Sequence, residues 1–292
     1  MTTREDWDIV SSVGLTALAV AAGRAIDGHR ADRLVDDPYA AEFIRAAEPP
    51  VPMPTQPPES DDADYRQVWN YLSDRLAVRS RYFDQFFRNA ADAGARQGVI
   101  LASGLDTRAY RLSWPEGFRL FEVDQPKVLE FKDQVLDRAS ATAACDLRPV
   151  RVDLREDWES ALAEAGFDRG RPTAWLAEGL LPYLPPEAEQ QLLETLHRCS
   201  APGSSAALEV TSPSQRTGSG WAPLLSKYIG VDMTSLVHSD ERPAPDTTLA
   251  ALGWTTEVDT VLAAADRYER ALDPKTRDLS GSSGFVTAHL PG

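Results

Sequence analysis

The sequence predicts an α/β protein built on an open sheet of the nucleotide-binding kind, and three observations predict it. Short apolar, strand-like runs alternate with helical patterns along the chain. One such run, Val99-Ile100-Leu101, stops at the turn Ala102-Ser103-Gly104 and passes into the polar segment Leu105-Asp106-Thr107-Arg108. About twenty residues later a second run, Phe118 to Val123, closes on an acid, Asp124, the position at which a ribose hydroxyl is held in such sheets. Ligands of open α/β sheets lie outside the carboxyl ends of the strands, and a glycine there admits close approach of the backbone. The dinucleotide fingerprint needs three glycines to rest a pyrophosphate on a helix N-terminus, and only Gly104 stands in this turn. The pattern points away from NAD or FAD and toward an adenosyl ligand without phosphates, of which S-adenosylmethionine is the common one.

The elements follow in order. From Ser11 to about Ala25, Val13, Leu18, Ala21 and Ala22 approximate helical spacing, with Ser11 or Ser12 as cap. Arg24 near the end of this helix either meets the helix C-terminus, where a cation is favoured, or reaches a ligand carboxylate. Asp36-Asp37-Pro38-Tyr39 opens a short helix through Ile44. Between Glu48 and Asp64 stand six prolines followed by acids, the composition of an extended flap over the site. Tyr65 to Ala93 is an amphipathic helix with Val68, Leu72, Leu76, Phe83, Phe86 and Phe87 on one stripe. Arg79 falls on that stripe, so it must be paired, either in a structural ion pair or as a bidentate anchor for a ligand carboxylate. Arg81 should face elsewhere.

Beyond the turn, Leu105 to Leu112 reads as a turn or short helix, and Gln125-Pro126 opens a helix through Val135. Pro149 to Leu154 is a third strand closing on Asp153. That acid suits the adenine amino group, with Leu154 packing on the ring, and also suits the N-cap of a helix from Trp158 to Ala165. Pro172 to Leu176 is a fourth strand, leading into Glu178-Gly179-Leu180-Leu181-Pro182-Tyr183-Leu184 and a helix through Leu196. Glu178 either stabilises the cationic end of the ligand or bonds nearby backbone donors. Ser205 to Val210 is a fifth strand. The segment 212–246, rich in Gly, Pro and Ser yet holding Trp221, Leu224, Leu225, Tyr228, Ile229 and Val231, reads as an inserted lid. Trp254 to Val258 and Phe285 to Leu290 are two late strands.

At 292 residues and 42% hydrophobic content the chain can bury one large core. A formal charge of -15 argues against nucleic acid and anionic membrane as partners. Cys145 and Cys199 lack metal-ligand spacing and read as buried thiols, and no cluster suits a metal. The apolar run from Val13 to Gly23 is too short to span a bilayer and follows Glu5, Asp6 and Asp8 rather than a basic start, so a cytoplasmic enzyme is expected.

Together these stretches resemble the leucine carboxyl methyltransferase family, in particular its actinobacterial S-adenosylmethionine-dependent branch. The resemblance rests on Ser12 to Leu18, Asp36-Asp37-Pro38-Tyr39, Arg79 to Asp84, Gly104 to Arg108, Val123-Asp124-Gln125-Pro126, Val152-Asp153-Leu154 and Glu178 to Leu184, and spans nearly the whole chain. It implies a Rossmann-like, seven-stranded class I methyltransferase sheet with helices on both faces. One domain is expected, with an N-terminal helical cap and flap over 1–93 and a core over 94–292 whose lid lies at about 212–248. By the same resemblance Arg79 would hold the methionyl carboxylate, Gly104 would approach the cofactor, Asp124 would hold the ribose, Asp153 and Leu154 would frame adenine, and Glu178 would lie by the methionyl end. Ala102 and Asp106 of the turn, and Arg24, complete the expected cofactor contacts. Family members usually read Gly-Ala-Gly where this chain has Ala102-Ser103-Gly104, so a methyl stands where backbone contact is expected.

The expected chemistry is methyl transfer from a sulfonium to oxygen by in-line displacement. A carboxylate acceptor is already ionised at neutral pH and needs no base, whereas a phenol needs one. Of the four histidines only His238 lies in a lid-like stretch, which tilts the reading toward a carboxylate-bearing small molecule, with Glu178 and Tyr183 as the residues nearest the chemistry. A phenol-directed O-methyltransferase of secondary metabolism, and a non-catalytic cofactor-binding relative, are the alternatives.

Overall fold

The computed structural model describes residues 9, 12–211, 222–281 and 283–292. Ser11 and the part of the expected lid over 212–221, including Trp221, lie outside the described residues. The N-terminal region forms α1 (Ser12–Gly28), α2 (Ala40–Ala47) and the long α3 (Ala63–Asp92). Strands and helices then alternate: β1 (Gln97–Leu101), α4 (Arg108–Arg111), β2 (Arg119–Asp124), α5 (Pro126–Arg138), β3 (Asp146–Arg151), α6 (Trp158–Glu164), β4 (Ala174–Ala177), α7 (Pro186–Arg198) and β5 (Ser205–Thr211). The lid contributes α8 (Ala222–Ile229), α9 (Met233–Leu236) and α10 (Pro245–Ala251) before β6 (Thr255–Thr260), α11 (Val261–Arg267), α12 (Pro274–Ser280) and β7 (Ser283–His289).

Among the described residues the strands form one seven-stranded sheet in the order β3-β2-β1-β4-β5-β7-β6. The pairs from β3 to β5 are parallel, and β7 runs antiparallel to both β5 and β6. Because successive strand residues point to opposite faces, Val99 and Leu101 enter one core with Phe121, Trp175 and the helices α6, α7 and α10. Ile100, Leu120 and Leu176 enter another, against Val78, Phe83 and Phe87 of α3 and Ala264 of α11. A third cluster joins α1, α2, the first half of α3, α5 and α8. There a Cβ on Gly23 would stand 2.6 Å from Leu76 Cδ1, so the glycine is what lets α1 lie directly on α3.

The fully buried Arg270 guanidinium pins the cap to the core. It pairs with Asp27 of α1 at 2.7 Å and Asp74 of α3 at 3.0 Å, and donates to the Asp32 carbonyl at 2.9 Å. Burial raises the Asp74 carboxyl, against the pull of Arg270 and Arg30.

Several boundaries differ from the sequence expectation. α1 continues to Gly28, so Arg24 lies inside it. β3 begins at Asp146 and stops at Arg151, which puts Asp153 beyond the strand. As an edge strand it buries only Val150 and lacks the apolar run that would have marked it. Both cysteines are free thiols, Cys199 buried and Cys145 half-buried. No helix among the described residues is long and apolar enough to cross a membrane.

Candidate active site

The turn after β1 is left-handed twice, at Ala102 (φ 51°) and at Gly104 (φ 50°). Its backbone is tied to the end of β2. Ser103 N–H donates to the Val123 carbonyl at 3.1 Å. Gly104 N–H donates to Asp124 Oδ2 at 2.6 Å, and Gln125 N–H to Asp124 Oδ1 at 2.7 Å. Burial pushes the Asp124 carboxyl up to about 6, against those two bonds and the Lys132 charge. A Cβ at Gly104 would meet nothing within 4 Å, so the glycine answers a backbone need and leaves open space above the turn.

A cluster of arginines and acids lies at the carboxyl ends of β4 and β5. Its helical side comes from α3, whose first turn is capped by Asp62 accepting from Asp64 and Tyr65 N–H. Arg75 and Arg79, four residues apart on one face of α3, share one carboxylate. Glu209, on β5, meets Arg75 Nη2 through Oε1 at 2.7 Å and Arg79 Nη1 through Oε2 at 2.8 Å. Gly179 N–H donates to the same Oε2 at 2.9 Å. Glu178, just past β4, bridges Arg79 Nε at 2.7 Å and Arg108 Nη1 at 2.8 Å. Arg108 continues to Asp84 at 2.8 Å and to Asp106, and Arg111 takes both Asp84 oxygens.

Burial raises Asp84, Glu209 and Asp106, and the guanidiniums beside them outweigh it. Asp84 is held down at about 2 by Arg111 and Arg108. Glu209 stays below the usual glutamate range because of Arg79 and Arg75, and Asp106 below the aspartate range chiefly because of Arg108. Tyr183 sits in the 3-10 turn after β4, its hydroxyl bonded to Thr16, and burial raises its phenol.

The structure thus brings Arg79, Glu178, Asp106 and Tyr183 to one end of the sheet, with Ala102 and Gly104 on the adjoining turn and Asp124 at the end of β2. The expectation that Arg79 is buried and paired is met by Glu178 and Glu209. Arg81 faces away, its guanidinium 5.8 Å from the Tyr268 ring centroid.

Two assignments need correction. Arg24 does not serve the end of its own helix: its Nε pairs with Asp37 at 2.8 Å and its Nη2 donates to the Leu105 carbonyl at 2.8 Å, bracing the glycine turn from behind. Asp153 does not cap α6. That cap is Asp157, which accepts from Ser160 N–H at 3.1 Å, while Asp153 accepts from the backbone and guanidinium of Arg155. Leu154 is half-buried and borders, with Ala102, the core cluster that contains Leu180 and Leu181.

The sequence assigns no role to Arg75 or Glu209, and places Asp84 and Arg108 only within the stretches that carry the resemblance. Glu209 had a signal, an acid inside the apolar run Ala206 to Val210, and Arg75 stands one helical turn before Arg79. The described part of the lid closes over this end of the molecule. Tyr228 of α8 donates to Asp62 Oδ2 at 2.7 Å. His238 N–H donates to the Pro182 carbonyl at 2.9 Å, and Arg242 pairs with Glu189 at 2.7 Å and donates to the Leu184 carbonyl at 2.8 Å.

Comparison with known proteins gives consistent results. Residues 17–197 match the family described as leucine carboxyl methyltransferase. A Saccharopolyspora erythraea protein named as a proposed S-adenosyl-L-methionine-dependent methyltransferase is 51% identical over 99% of both chains. A Mycobacteroides abscessus protein of the same name is 45% identical over 98% of this chain and 95% of its own. Among solved structures, one from Thermobifida fusca, described as a proposed methyltransferase, covers 94% of both chains with a TM-score of 0.53 at 17% identity, a likeness of fold.

Proposed function

Because the chain belongs to the leucine carboxyl methyltransferase family, we propose that it is an S-adenosylmethionine-dependent O-methyltransferase whose acceptor is a small carboxylic acid. The residues at the strand ends suit the cofactor. Asp124 offers carboxylate oxygens for ribose hydroxyls beside a glycine turn with open space above it. Arg79 and Glu178 are an opposed pair suited to the carboxylate and ammonium of a methionyl group. Asp106 acts at one remove, by fixing Arg108 against Glu178. Ala102 and Gly104 shape the turn. Leu154 offers an apolar flank for the adenine, with Asp153 beside it.

The observation that carries the choice of acceptor is the lack of a competent base among the described residues of this cluster. Glu178 and Glu209 are each held by two arginines. The phenol of Tyr183 is raised by burial and stays protonated at neutral pH, a donor rather than a base. Among the described residues of this cluster a phenolic acceptor finds no group to take its proton, whereas a carboxylic acid arrives ionised.

When bound, S-adenosylmethionine supplies a methyl group on a cationic sulfur with a neutral leaving group. The chain supplies alignment and exclusion of water. Arg79, Glu178 and Asp124 fix the cofactor, Tyr183 orients the acceptor through its hydroxyl, and the lid, fastened through Tyr228 and Arg242, keeps bulk water out.

The test is transfer of labelled methyl to a panel of small acids and phenols, followed by mild alkali. Label released by alkali is ester and fits the proposal; alkali-stable label is ether and replaces the carboxylate with a phenol. Calorimetry showing no S-adenosylmethionine binding at high micromolar concentration sinks the reading altogether.

A further inference from the structure

We propose that Arg75 is the residue that anchors the acceptor's carboxylate, and so selects anionic acceptors; this rests on the function proposed above. Arg108 uses all three nitrogens, on Asp84, on Asp106 with Glu178, and on the Ser80 carbonyl. Arg111 likewise uses all three, on Thr107 Oγ1 and both oxygens of Asp84. Arg79 holds Glu209 through Nη1 and faces Glu178 with Nε as an ion pair at 2.7 Å without hydrogen-bond alignment, and it lies where the cofactor's methionyl end is expected. Arg75 spends one nitrogen, Nη2, on Glu209 Oε1. Its Nε and Nη1 have no acceptor among the described residues, and its side chain is 15% exposed against 2–8% for the other three.

Nη2 carries a second hydrogen, so one two-donor edge of this guanidinium, Nη2 with Nε or Nη2 with Nη1, stays unfilled, and in a confined, mostly dry setting such an edge is a carboxylate receptor. The position suits the acceptor rather than the cofactor. Arg75 stands four residues, about 6 Å, closer than Arg79 to the end of α3 that the lid covers through Tyr228 and Asp62. Its electrostatic neighbours are Glu209, Tyr71 and Tyr183. Glu209 holds Arg75 and Arg79 on its two oxygens, which sets the spacing between an acceptor carboxylate on one and the methionyl end on the other.

The experiment measures thermal stabilisation of the protein saturated with S-adenosylhomocysteine by hexanoate and by benzoate, with hexanamide and benzamide as neutral counterparts. The carboxylates should stabilise the wild type and the amides should not. Arg75→Met should weaken the carboxylate response by at least about tenfold and leave S-adenosylhomocysteine affinity unchanged, with Arg75→Lys in between. If Arg75→Met does not fold, Arg75→Lys carries the test, with a loss of at least about threefold expected because a lysine has no fork. No response to either carboxylate in the wild type, or an equal response in the variants, overturns the assignment. Failure of S-adenosylhomocysteine to bind the wild type refutes the function reading instead, so the two failures are distinct.

Discussion

Protonation of Asp124 should move cofactor affinity and protein stability in opposite directions, which makes it a severe test of the site. Its carboxyl is pushed up to about 6 from 3.8 by burial at the end of β2. To accept from ribose hydroxyls while accepting from Gly104 and Gln125 N–H, it must be ionised. With a pKa of about 6 it is almost fully ionised at pH 7.5 and about one-tenth ionised at pH 5, so the apparent Kd should rise about tenfold over that interval. Stability runs the other way. The folded state binds this proton more tightly than the unfolded state, so the group's contribution improves as pH falls through about 6 and levels off below 3.8. Raising this carboxyl from 3.8 to about 6 corresponds to about 2–3 kcal/mol. The assay is calorimetric titration with S-adenosylhomocysteine from pH 7.5 to 5, paired with chemical denaturation of the free protein from pH 7.5 to 4, each on wild type and Asp124→Asn. The variant should bind with a flat pH profile. The wild type should gain about 2–3 kcal/mol relative to it as pH is lowered. A wild-type Kd that does not change, or a slope that persists in Asp124→Asn, refutes the reasoning.

Two further outcomes follow from the geometry. Ala102→Gly relieves a left-handed alanine at φ 51°, which should stabilise the free protein by about 1 kcal/mol and bind cofactor at least as tightly; a lower Tm in differential scanning calorimetry contradicts this. Arg79→Met leaves Glu178 and Glu209 each short of a buried partner, so chemical denaturation should show a loss of about 3–5 kcal/mol together with a raised cofactor Kd in calorimetry below the new Tm; a stability loss with unchanged Kd makes Arg79 a purely structural ion pair.

What could be read from the sequence is what adjacent residues determine together. The β1 turn, Asp124 and the buried stripe on α3 are visible because strand alternation, a glycine and a helical period are local properties. Glu209 shows the limit. An acid among alanine, leucine and valine announces that it has a partner, but that partner, Arg79, stands 130 positions away and is set by how α3 crosses the strand ends. Arg24 is a similar case, since its acceptor at Leu105 lies 81 positions on. Asp153 and Asp157 both precede α6, and which one caps it depends on where the helix starts. The start of β3 was hidden because an edge strand has one sheet neighbour and no continuous apolar run.

The order of the last two strands has a consequence for how the molecule is made. β7 follows β6 in the chain yet lies between β6 and β5, so β6 has no place in the sheet until β7 has emerged from the ribosome. Arg270 imposes the same delay on the other end: Asp27 and Asp74 remain without their shared buried counter-ion until that late residue is synthesised. Completion of the N-terminal cap and closure of the sheet are therefore both late events in biosynthesis. Loss of the residues from 283 onward would remove an interior strand, turn β5 into an exposed edge and leave β6 with no partner, both surfaces for chaperones to guard.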